Sequence, residues 1–510
     1  MESLDMAILL TTLVTLYYFL LLLLLLLLRR KSKKLPPGPT ALPIIGNLHQ
    51  LRDLPHRRLH RLAKTYGPIM LLSLGSKPMV VVSSPEAAEL VLKTHDDIFL
   101  GRPKGRVTHH LSYGSRGIAF TEGGAYWPSA RKLCALRLLS PAKVESYAPA
   151  RREELGRLVE RVRVRAAAAA AAREAMDLSA EVGELMGNLS CRLILGCRSN
   201  AGEDEFDLKP LIHEVLRLAG AFNLADYVPL LGPFDLQGLA RRAEVIHRAI
   251  DKVLEGIIKE HEQDTTGKYK GDFLDTILSV MDQPMTDSQD KPGMLDRTNV
   301  KAIVLDLISG SYESSSTVID WAFSELMRSP HTRKRLQQEL RTVVGMNRMV
   351  EESDLPKLSY LDMVIKETFR LYPPGPLLIP HESTEDIEIN GYYIPKRTGV
   401  IANAWALGRD VDAWGNDAGE FKPERFSNSS VDVKGRDFQL IPFGLGRRGC
   451  PGMNLAVVNT RLFLAQMLHC FDWELPEGMS LSNLDMTEEV GLSLSKAKHL
   501  FLVPSYRLVV

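Results

Sequence analysis

The sequence predicts a mainly α-helical protein with a minor β part, preceded by an N-terminal transmembrane helix. Long helical patterns dominate, and the clearest run over residues 295–327 and 360–371. Strand-like runs are few: residues 78–82 and 387–394 predict one small sheet, and Asn390-Gly391 at the middle of the second run predicts a hairpin there. The N-terminal end, by contrast, is almost purely apolar.

The first part of the chain has the length and composition of a membrane anchor. Residues 6–28 contain no charged side chain, and as a helix they would extend for about 34 Å, enough to cross a hydrocarbon core of about 30 Å. The stretch is long for a signal peptide and has no small-residue cleavage site. Five of the six residues at 29–34 are basic, which by the positive-inside rule keeps the rest of the chain cytosolic. A cleaved signal with a secreted product is the alternative.

These features divide the chain into three parts. Residues 1–28 are the predicted anchor, residues 29–40 a basic and proline-rich hinge, and residues 41–510 the main domain. The hinge contains Pro36-Pro37-Gly38-Pro39, and prolines at this density favour a stiff, extended spacer. Within the main domain, residues 264–295 turn polar and predict a surface loop.

Composition excludes several classes of protein. A net charge of +1 gives no indication of nucleic-acid binding. The five cysteines are few and odd in number, which argues against a disulfide framework and suits a reducing compartment. A hydrophobic content of 45% and a charged content of 25% are ordinary for a globular domain with a sizeable core.

The segment around Cys450 carries the strongest chemical signal. Three glycines precede this cysteine, so the backbone can turn tightly and approach a flat partner closely. Pro451 follows it and then an apolar stretch with helical spacing, which predicts that Cys450 lies at a helix N-terminus, where a thiolate is favoured. Phe443 could cover the sulfur, and Arg448 is placed to meet an anion. A lone cysteine is more often a small core residue, but this frame favours a ligand.

Four motifs resemble those of the cytochrome P-450 superfamily, and the resemblance extends over the whole chain. The residues within these motifs are similar to those of the plant A-type microsomal clan. Residues 443–452 fit the pattern FxxGxRxCxG of its haem-binding loop. Residues 367–370 fit its ExxR helix motif, residues 421–426 its FxPERF motif, and residues 127–131 its WxxxR motif.

The resemblance implies one α-rich domain that encloses haem b, which would make residues 41–510 a haem-thiolate catalytic domain. It implies that Cys450 is the axial thiolate ligand of the iron and that arginine and other donors bind the haem propionates. The implied cofactor-binding residues are Trp127, Arg131, His381, Phe443, Arg448 and Cys450. Glu367 and Arg370 would form a buried charge network with Arg425, which is structural rather than catalytic.

The long helix carries the segment that aligns with the family's oxygen-binding pattern, (A/G)-G-x-(D/E)-T-(T/S), although imperfectly. Ser311 stands where the second glycine is usual, and Ser314 where a threonine is usual. Glu313 and Ser314 still place an acid beside an alcohol, the pair expected to supply protons for cleavage of the O–O bond. Because serine lacks the methyl that restricts a threonine rotamer, we expect more leakage to peroxide. The alternative is that this serine-rich stretch is merely a weak helix interior.

The implied function is a monooxygenase that inserts one oxygen atom from O2 into a lipophilic plant specialised metabolite, a terpenoid first and a phenolic or alkaloid next. Electrons would come from NADPH through cytochrome P-450 reductase, with cytochrome b5 as a further candidate partner, at the endoplasmic reticulum membrane. Residues expected at the substrate are Leu377, Leu378, Ile379, Leu492, Ser493 and the loop 107–120, and those expected at the reductase are Arg131, Lys132, Arg137 and Arg447.

Two other readings remain open at this point. The first is a haem-thiolate isomerase or dehydratase that needs no reductase, although such relatives usually lose the acid–alcohol pair. The second is a non-catalytic membrane protein that uses haem to sense or carry a ligand.

Overall fold

Helices form most of the structure, a computed structural model, and small sheets lie at its edges. It describes residues 10–21, 33–169, 174–198, 208–281, 295–489 and 491–509. Residues 10–21 are helical, and the rest of the predicted anchor 1–28 lies outside the described residues. Among the residues that are described, no helix is both long enough and apolar enough to cross a membrane.

The helices are numbered here in chain order, beginning after residue 33. They are α1 (Pro55–Tyr66), α2 (Pro85–Glu89), α3 (Arg106–Leu111), α4 (Tyr126–Leu133), α5 (Pro141–Ser146), α6 (Ala148–Ala169), α7 (Leu178–Leu195), α8 (Leu208–Ala219), α9 (Leu224–Tyr227), α10 (Leu239–Gln263), α11 (Phe273–Leu278), α12 (Arg297–Arg328), α13 (Pro330–Val344), α14 (Ser359–Leu371), α15 (Ala404–Leu407), α16 (Val411–Trp414) and α17 (Met453–Cys470).

The strands are short and lie in three sheets of the described chain. They are β1 (Ile69–Leu74), β2 (Lys77–Val82), β3 (Met176–Asp177), β4 (His381–Glu382), β5 (Ile387–Ile389), β6 (Tyr392–Ile394), β7 (Gly399–Ala402), β8 (Phe471–Glu474) and β9 (Phe501–Tyr506). Their order is β1-β2-β7-β4, β3-β9-β8 and β5-β6. The parallel pair β2–β7 joins Met79 to Gly399, and β4 pairs His381 with Val400, so distant parts of the sequence meet in the first sheet.

Helix α12 lies largely buried in the core of the fold and confirms the predicted long helix. Asp296 caps its start, because its carboxylate accepts the N–H of Asn299 while the Asn299 side chain accepts the N–H of Asp296. Apolar side chains are buried around much of its circumference, as expected for a helix inside the core. It packs against α7 at Gly187, where a Cβ atom would lie only 2.6 Å from the Tyr312 ring.

The predicted charge network ties α14 to the segment that precedes the cysteine loop. Glu367 and Arg370 are both completely buried and meet at 2.6 Å, and Arg425 reaches the same carboxylate at 2.9 Å. Arg370 also donates to the carbonyls of Gly408, Ala418 and Glu420, so one guanidinium holds the segment 408–420 at two places.

Three sequence expectations need correction in detail. The hairpin β5–β6 forms its own sheet and does not join β2. The polar segment after residue 264 is not all loop: it contains α11, whose residues Phe273, Leu274 and Ile277 are buried, while residues 282–294 lie outside the described chain. The helix after the cysteine starts at Met453, so Cys450 precedes it by three residues.

Candidate active site

A cavity of about 350 Å³ lies between α12 and the loop 442–452. Cys450 opens onto this cavity, and its exposed surface faces the cavity, not the bulk solvent, from which the thiol is buried. On the opposite side, Gly310, Ser311 and Ser314 of α12 contribute to the wall. The cavity therefore has a thiol on one wall and a hydroxyl-bearing helix on the other.

Backbone hydrogen bonds set the shape of the cysteine loop. The N–H of Cys450 donates to the carbonyl of Phe443 at 2.8 Å, which closes the loop, and the Phe443 ring lines the cavity. Gly446 adopts a positive φ of 62°, and a Cβ atom there would lie 2.4 Å from the carbonyl oxygen of Leu92. Only glycine fits this position, both for its backbone conformation and for the closeness of the neighbouring chain.

The start of α17 acts on the cysteine electrostatically. Burial raises the pKa of the Cys450 thiol, while the N–H groups of Gly452 and Met453 and the charge of Arg131 lower it. These groups stabilise a thiolate, as expected beside the first N–H groups of a helix.

A cationic cluster, formed by Arg102, Arg131 and Arg448, borders the same cavity, and His381 lies beside it. Burial lowers the pKa of Arg448 to about 10, and Arg131 adds to this by repulsion. Burial lowers the pKa of Arg102 to about 9, with repulsion from Arg448. Burial, with the charges of Arg102 and Arg448, lowers the pKa of His381 to about 3. None of the three arginines pairs with a carboxylate within the described part of the chain, so the cluster suits an anionic ligand.

Trp127 and the arginines also hold the segment 117–121, which forms part of the cavity wall. The Arg448 guanidinium lies 3.9 Å from the centre of the Trp127 ring. Trp127 Nε1 donates to the carbonyl of Ile118 at 2.9 Å, Arg102 Nε donates to Ala119, and Arg448 Nη2 donates to Thr121.

The alcohol of the oxygen-binding segment lies at the cavity, whereas the acid does not. Ser314 lines the cavity, and its hydroxyl donates to the carbonyl of Gly310 at 2.8 Å. Glu313 does not belong to the cavity wall, and its Oε1 instead accepts a hydrogen bond of 3.2 Å from Ser495. Burial raises the pKa of Glu313, while hydrogen bonds from Ser495 and Ser493 lower it.

The comparisons with known proteins agree with this geometry. The family model described as Cytochrome P450 matches residues 36–503. The chain belongs to the cytochrome P450 family. It is 52% identical to cytochrome P450 CYP736A12 of Panax ginseng, over 93% of this chain and 94% of that protein. It is 39% identical to desmethyl-deoxy-podophyllotoxin synthase of Sinopodophyllum hexandrum, over 92% of each.

A solved structure gives the same result for the fold. The chain is similar to a zebrafish cytochrome P450 solved with abiraterone, at a TM-score of 0.72 and 27% sequence identity. The match covers 89% of this chain and all of that one. The protein is therefore a cytochrome P450 monooxygenase with the fold of that family, and the two relatives compared by sequence above are plant proteins.

The cytochrome P450 family implies haem, and the cavity fits this group. A thiol faces the cavity, backbone N–H groups stabilise its thiolate, and a cationic cluster without a carboxylate partner lies beside it. A haem brings two propionates, which supply the missing negative charge. The structure brings Trp127, Arg131, His381, Phe443, Arg448 and Cys450 together on one cavity, and their binding of haem stays a prediction.

Only some of the residues expected at the substrate line the cavity of this P450. Leu378, Ile379, Leu492 and Ser493 line the cavity, whereas Leu377 does not and packs instead beside β1 and β2. Of the loop 107–120, only Ile118 and Ala119 contribute to the wall. Arg131 is half-buried at the cavity, so it is not part of an exposed reductase-docking face.

Sequence reasoning missed two residues of the site, Arg102 and Asp306. Asp306 Oδ2 accepts the N–H groups of Ile118 at 2.6 Å and Ala119 at 3.0 Å, and burial raises its pKa to about 6. Its signal was available, because Asp306, Gly310 and Ser314 are spaced four apart and share one face of α12. Arg102 donates to the carbonyls of Ile379 and Pro380, and no sequence motif marked it.

Proposed function

We propose that this P450 inserts one oxygen atom from O2 into a lipophilic plant specialised metabolite, with electrons from NADPH delivered by cytochrome P-450 reductase. The observation that carries the proposal is one cavity with mainly apolar walls. Cys450 lines it on one side, and the hydroxyl-bearing stretch of α12 lines it on the other. Terpenoids are the first substrate class, with phenolics and alkaloids next.

In this proposal Cys450 would ligate the haem iron, and Trp127, Arg131, His381 and Arg448 would hold the haem propionates. The haem, when bound, supplies the activation of O2. His381 donates through Nδ1 to the carbonyl of Phe99 at 2.8 Å, so the neutral ring presents Nε2 as an acceptor, and a propionate would bond there only with a proton between the two atoms. Phe443 shields the thiolate from water, since its ring lies against Phe369 with the centroids 5.0 Å apart.

The protons come from α12. Ser314 is the hydroxyl at the cavity, and Glu313 is the adjacent, half-buried acid that resupplies it, with its pKa raised by burial. Peroxide formed per NADPH consumed tests this role. If Ser314→Ala changed neither turnover nor that ratio, the role would be refuted.

The reductase would dock on the face nearest the cysteine loop. Lys132, Arg137 and Arg447 are exposed there, and they form a basic surface complementary to an acidic partner; cytochrome b5 is a second candidate for the same surface. Reversing the charge of Arg137 should raise the KM for reductase at low salt and matter little at high salt.

We also propose that the protein is a single-pass protein of the endoplasmic reticulum membrane, anchored by residues 1–28 with the catalytic domain in the cytosol. An exposed apolar patch supports a second membrane contact: Ile44 is 76% exposed, Leu230 83% and Phe234 68%. The two segments that carry the patch meet at the β1–β2 turn, where Gly75 donates to Ile45 and Ser76 to Tyr227. Loss of vesicle binding on Leu230→Glu with Phe234→Glu, measured in protein without residues 1–28, would test this contact.

Two measurements test the proposed function as a whole. The reduced, CO-bound protein should absorb at the position typical of thiolate-ligated haem, and Cys450→Ala should abolish that peak; a peak typical of histidine-ligated haem would overturn the assignment. NADPH-dependent loss of substrate with purified reductase separates the monooxygenase from a reductase-independent isomerase and from a haem sensor. Type I spectral shifts across a panel of plant terpenoids and phenolics would then identify the substrate class.

A further inference from the structure

His381 borders the cavity with a ring whose tautomer is decided by the neighbouring chain. The residue lies in the short strand β4, and its Nδ1 atom lies 2.8 Å from the carbonyl oxygen of Phe99. Because a carbonyl oxygen can only accept a hydrogen bond, Nδ1 must carry a proton. In the neutral ring Nε2 then carries none and is an acceptor.

Backbone hydrogen bonds hold the ring in this position. On one side β4 pairs with β7, where His381 lies opposite Val400. On the other side the N–H of Glu382 donates to the carbonyl of Gly101 at 2.9 Å, and the N–H of Gly101 donates to that of Glu382 at 3.0 Å. The chain that carries Phe99 is thus bound to β4 two residues further on, and the tautomer of His381 is built into the fold.

The second nitrogen of the ring opens onto the cavity. Only 8% of the His381 surface is accessible, and the residue forms part of the cavity wall. Nε2 has no hydrogen-bond partner within the described part of the chain, yet it keeps accessible surface. An acceptor that is shielded from bulk water and open to a binding cavity is suited to a ligand that donates a hydrogen bond.

The surroundings of His381 oppose a second proton on the ring. Burial, with the positive charges of Arg102 and Arg448, lowers its pKa to about 3. Glu382, the next residue of β4, lies on the opposite face of the strand, because successive side chains alternate. Within the described chain, no carboxylate lies at ion-pair distance from His381. The ring is therefore neutral before a haem binds.

A haem propionate that met Nε2 as a carboxylate would place two acceptors against each other. One proton between them turns this repulsion into a hydrogen bond. A neutral imidazole beside a neutral acid buries no charge, whereas an imidazolium beside a carboxylate buries two, which costs more free energy away from water. The positive charges of Arg102 and Arg448 also disfavour the proton on the ring.

We propose that His381 is a positioning residue that holds one haem propionate as its neutral acid, whose O–H donates to Nε2. The proton comes from solvent when the haem binds, so one O–H bond forms and no electron is transferred. The other propionate stays ionised for the arginines. This edge of the cofactor is then one unit less negative than two carboxylates would make it, which favours uptake of one electron by the iron. The inference rests on the proposed contact between His381 and a propionate and adds the proton to it.

The reduction potential of the bound haem tests the proton through the net charge. Titration with dithionite and mediators at pH 7 compares the full-length, haem-loaded wild type with His381→Gln and His381→Arg. Glutamine can donate an N–H to a carboxylate, so His381→Gln ionises the propionate and adds one negative charge. We expect the equilibrium constant for one-electron reduction to fall about tenfold, or about 59 mV. Arginine adds one positive charge beside the ionised propionate, so His381→Arg should match the wild type.

His469→Gln is the matched control. His469 is also buried and lies 3.0 Å from a carbonyl oxygen, that of Arg348, but it is at the far end of α17 and outside the cavity wall. Its substitution should leave the potential unchanged. A shift as large as that of His381→Gln would overturn the assignment of the effect to the propionate.

The second readout uses the wild type alone. Infrared difference spectra between the reduced and oxidised protein are recorded with haem that carries carbon-13 in its propionate carboxyls. The neutral acid should give a C=O band, distinct from the carboxylate bands, that moves to lower frequency with the label. The band should vanish in His381→Arg.

The outcomes separate this inference from the proposed function. A potential that rises in His381→Arg and stays unchanged in His381→Gln would show that the wild-type propionate is ionised, and would overturn the inference. A wild-type spectrum without a labelled C=O band would overturn it as well, even if the variants failed to bind haem. In both cases a thiolate-type peak of the reduced, CO-bound wild type leaves the proposed function standing, whereas loss of that peak would overturn the function and this inference with it.

Discussion

The buried pair Glu367–Arg370 provides a test of how much the charge network contributes to stability. Both side chains are completely buried, and the two hydrogen bonds between them measure 2.6 and 2.8 Å. Glu367→Gln keeps the shape but removes the negative charge, which leaves Arg370 and the largely buried Arg425 without their shared carboxylate. Breaking a buried pair in this way costs about 3–5 kcal/mol.

This free energy converts into a modest shift in melting temperature because the domain is large. An unfolding entropy of about 2.1 cal/mol/K per residue gives about 1 kcal/mol/K for the roughly 470 residues that the family model matches. We therefore expect Glu367→Gln to lower the Tm of the holoprotein by about 3–5 °C. Differential scanning calorimetry or the loss of haem absorbance on heating would measure it.

The chain offers a matched control on α6. Glu160 and Arg163 have the same i, i+3 spacing and a bond of 2.8 Å, but both are more than half exposed. Glu160→Gln should leave the Tm unchanged within error, because water and salt screen an exposed pair. Equal shifts for the two substitutions would refute the assignment of stability to burial of the network.

Three further predictions concern single residues. Burial raises the pKa of Asp320 to about 7, so the folded protein holds a proton that the unfolded chain releases above about pH 4. The free energy of unfolding therefore falls as pH rises from about 4 to 7. We expect Asp320→Asn to raise Tm more at pH 8 than at pH 5. Asp306→Ala leaves two N–H groups without an acceptor and should lower the unfolding free energy in urea by about 1–3 kcal/mol, with Asp306→Asn recovering part of it. Gly446→Ala should reduce the haem content per mole of protein, because its Cβ atom would meet the Leu92 carbonyl; full haem content would contradict this.

Local patterns predicted the elements of this fold well and their assembly poorly. Helix α12 was readable from its apolar spacing and from Asp296, because a helix and its cap are local features. The parallel pairing of β2 with β7 joins residues more than 300 positions apart, and no periodicity in either strand encodes its partner. Helix α11 was missed because six residues with three buried apolar side chains were averaged into their polar surroundings.

Residues of the site were likewise predictable where the signal is local in sequence and not where it depends on the folded chain. Motif spacing predicted Cys450 and Arg448, since the loop that carries them is continuous in sequence. Arg102 could not be found so, because its role depends on contacts with Ile379 and Pro380, which only the folded chain brings near. Glu313 was placed correctly on α12, but the direction of its carboxylate depends on the C-terminal turn, which lies about 180 residues away in sequence.

The attachment of the segment 117–121 has a consequence for how this enzyme can diversify. Four side chains form hydrogen bonds to the backbone N–H and carbonyl groups of this segment, namely Asp306, Trp127, Arg102 and Arg448. The side chains of residues 118 and 119, which border the cavity, take no part in that attachment. Mutation of Ala119 can therefore reshape this wall of the pocket without loosening it, whereas Ile118 also packs in the hydrophobic core. A library randomised at residue 119 should yield mostly folded, haem-containing proteins.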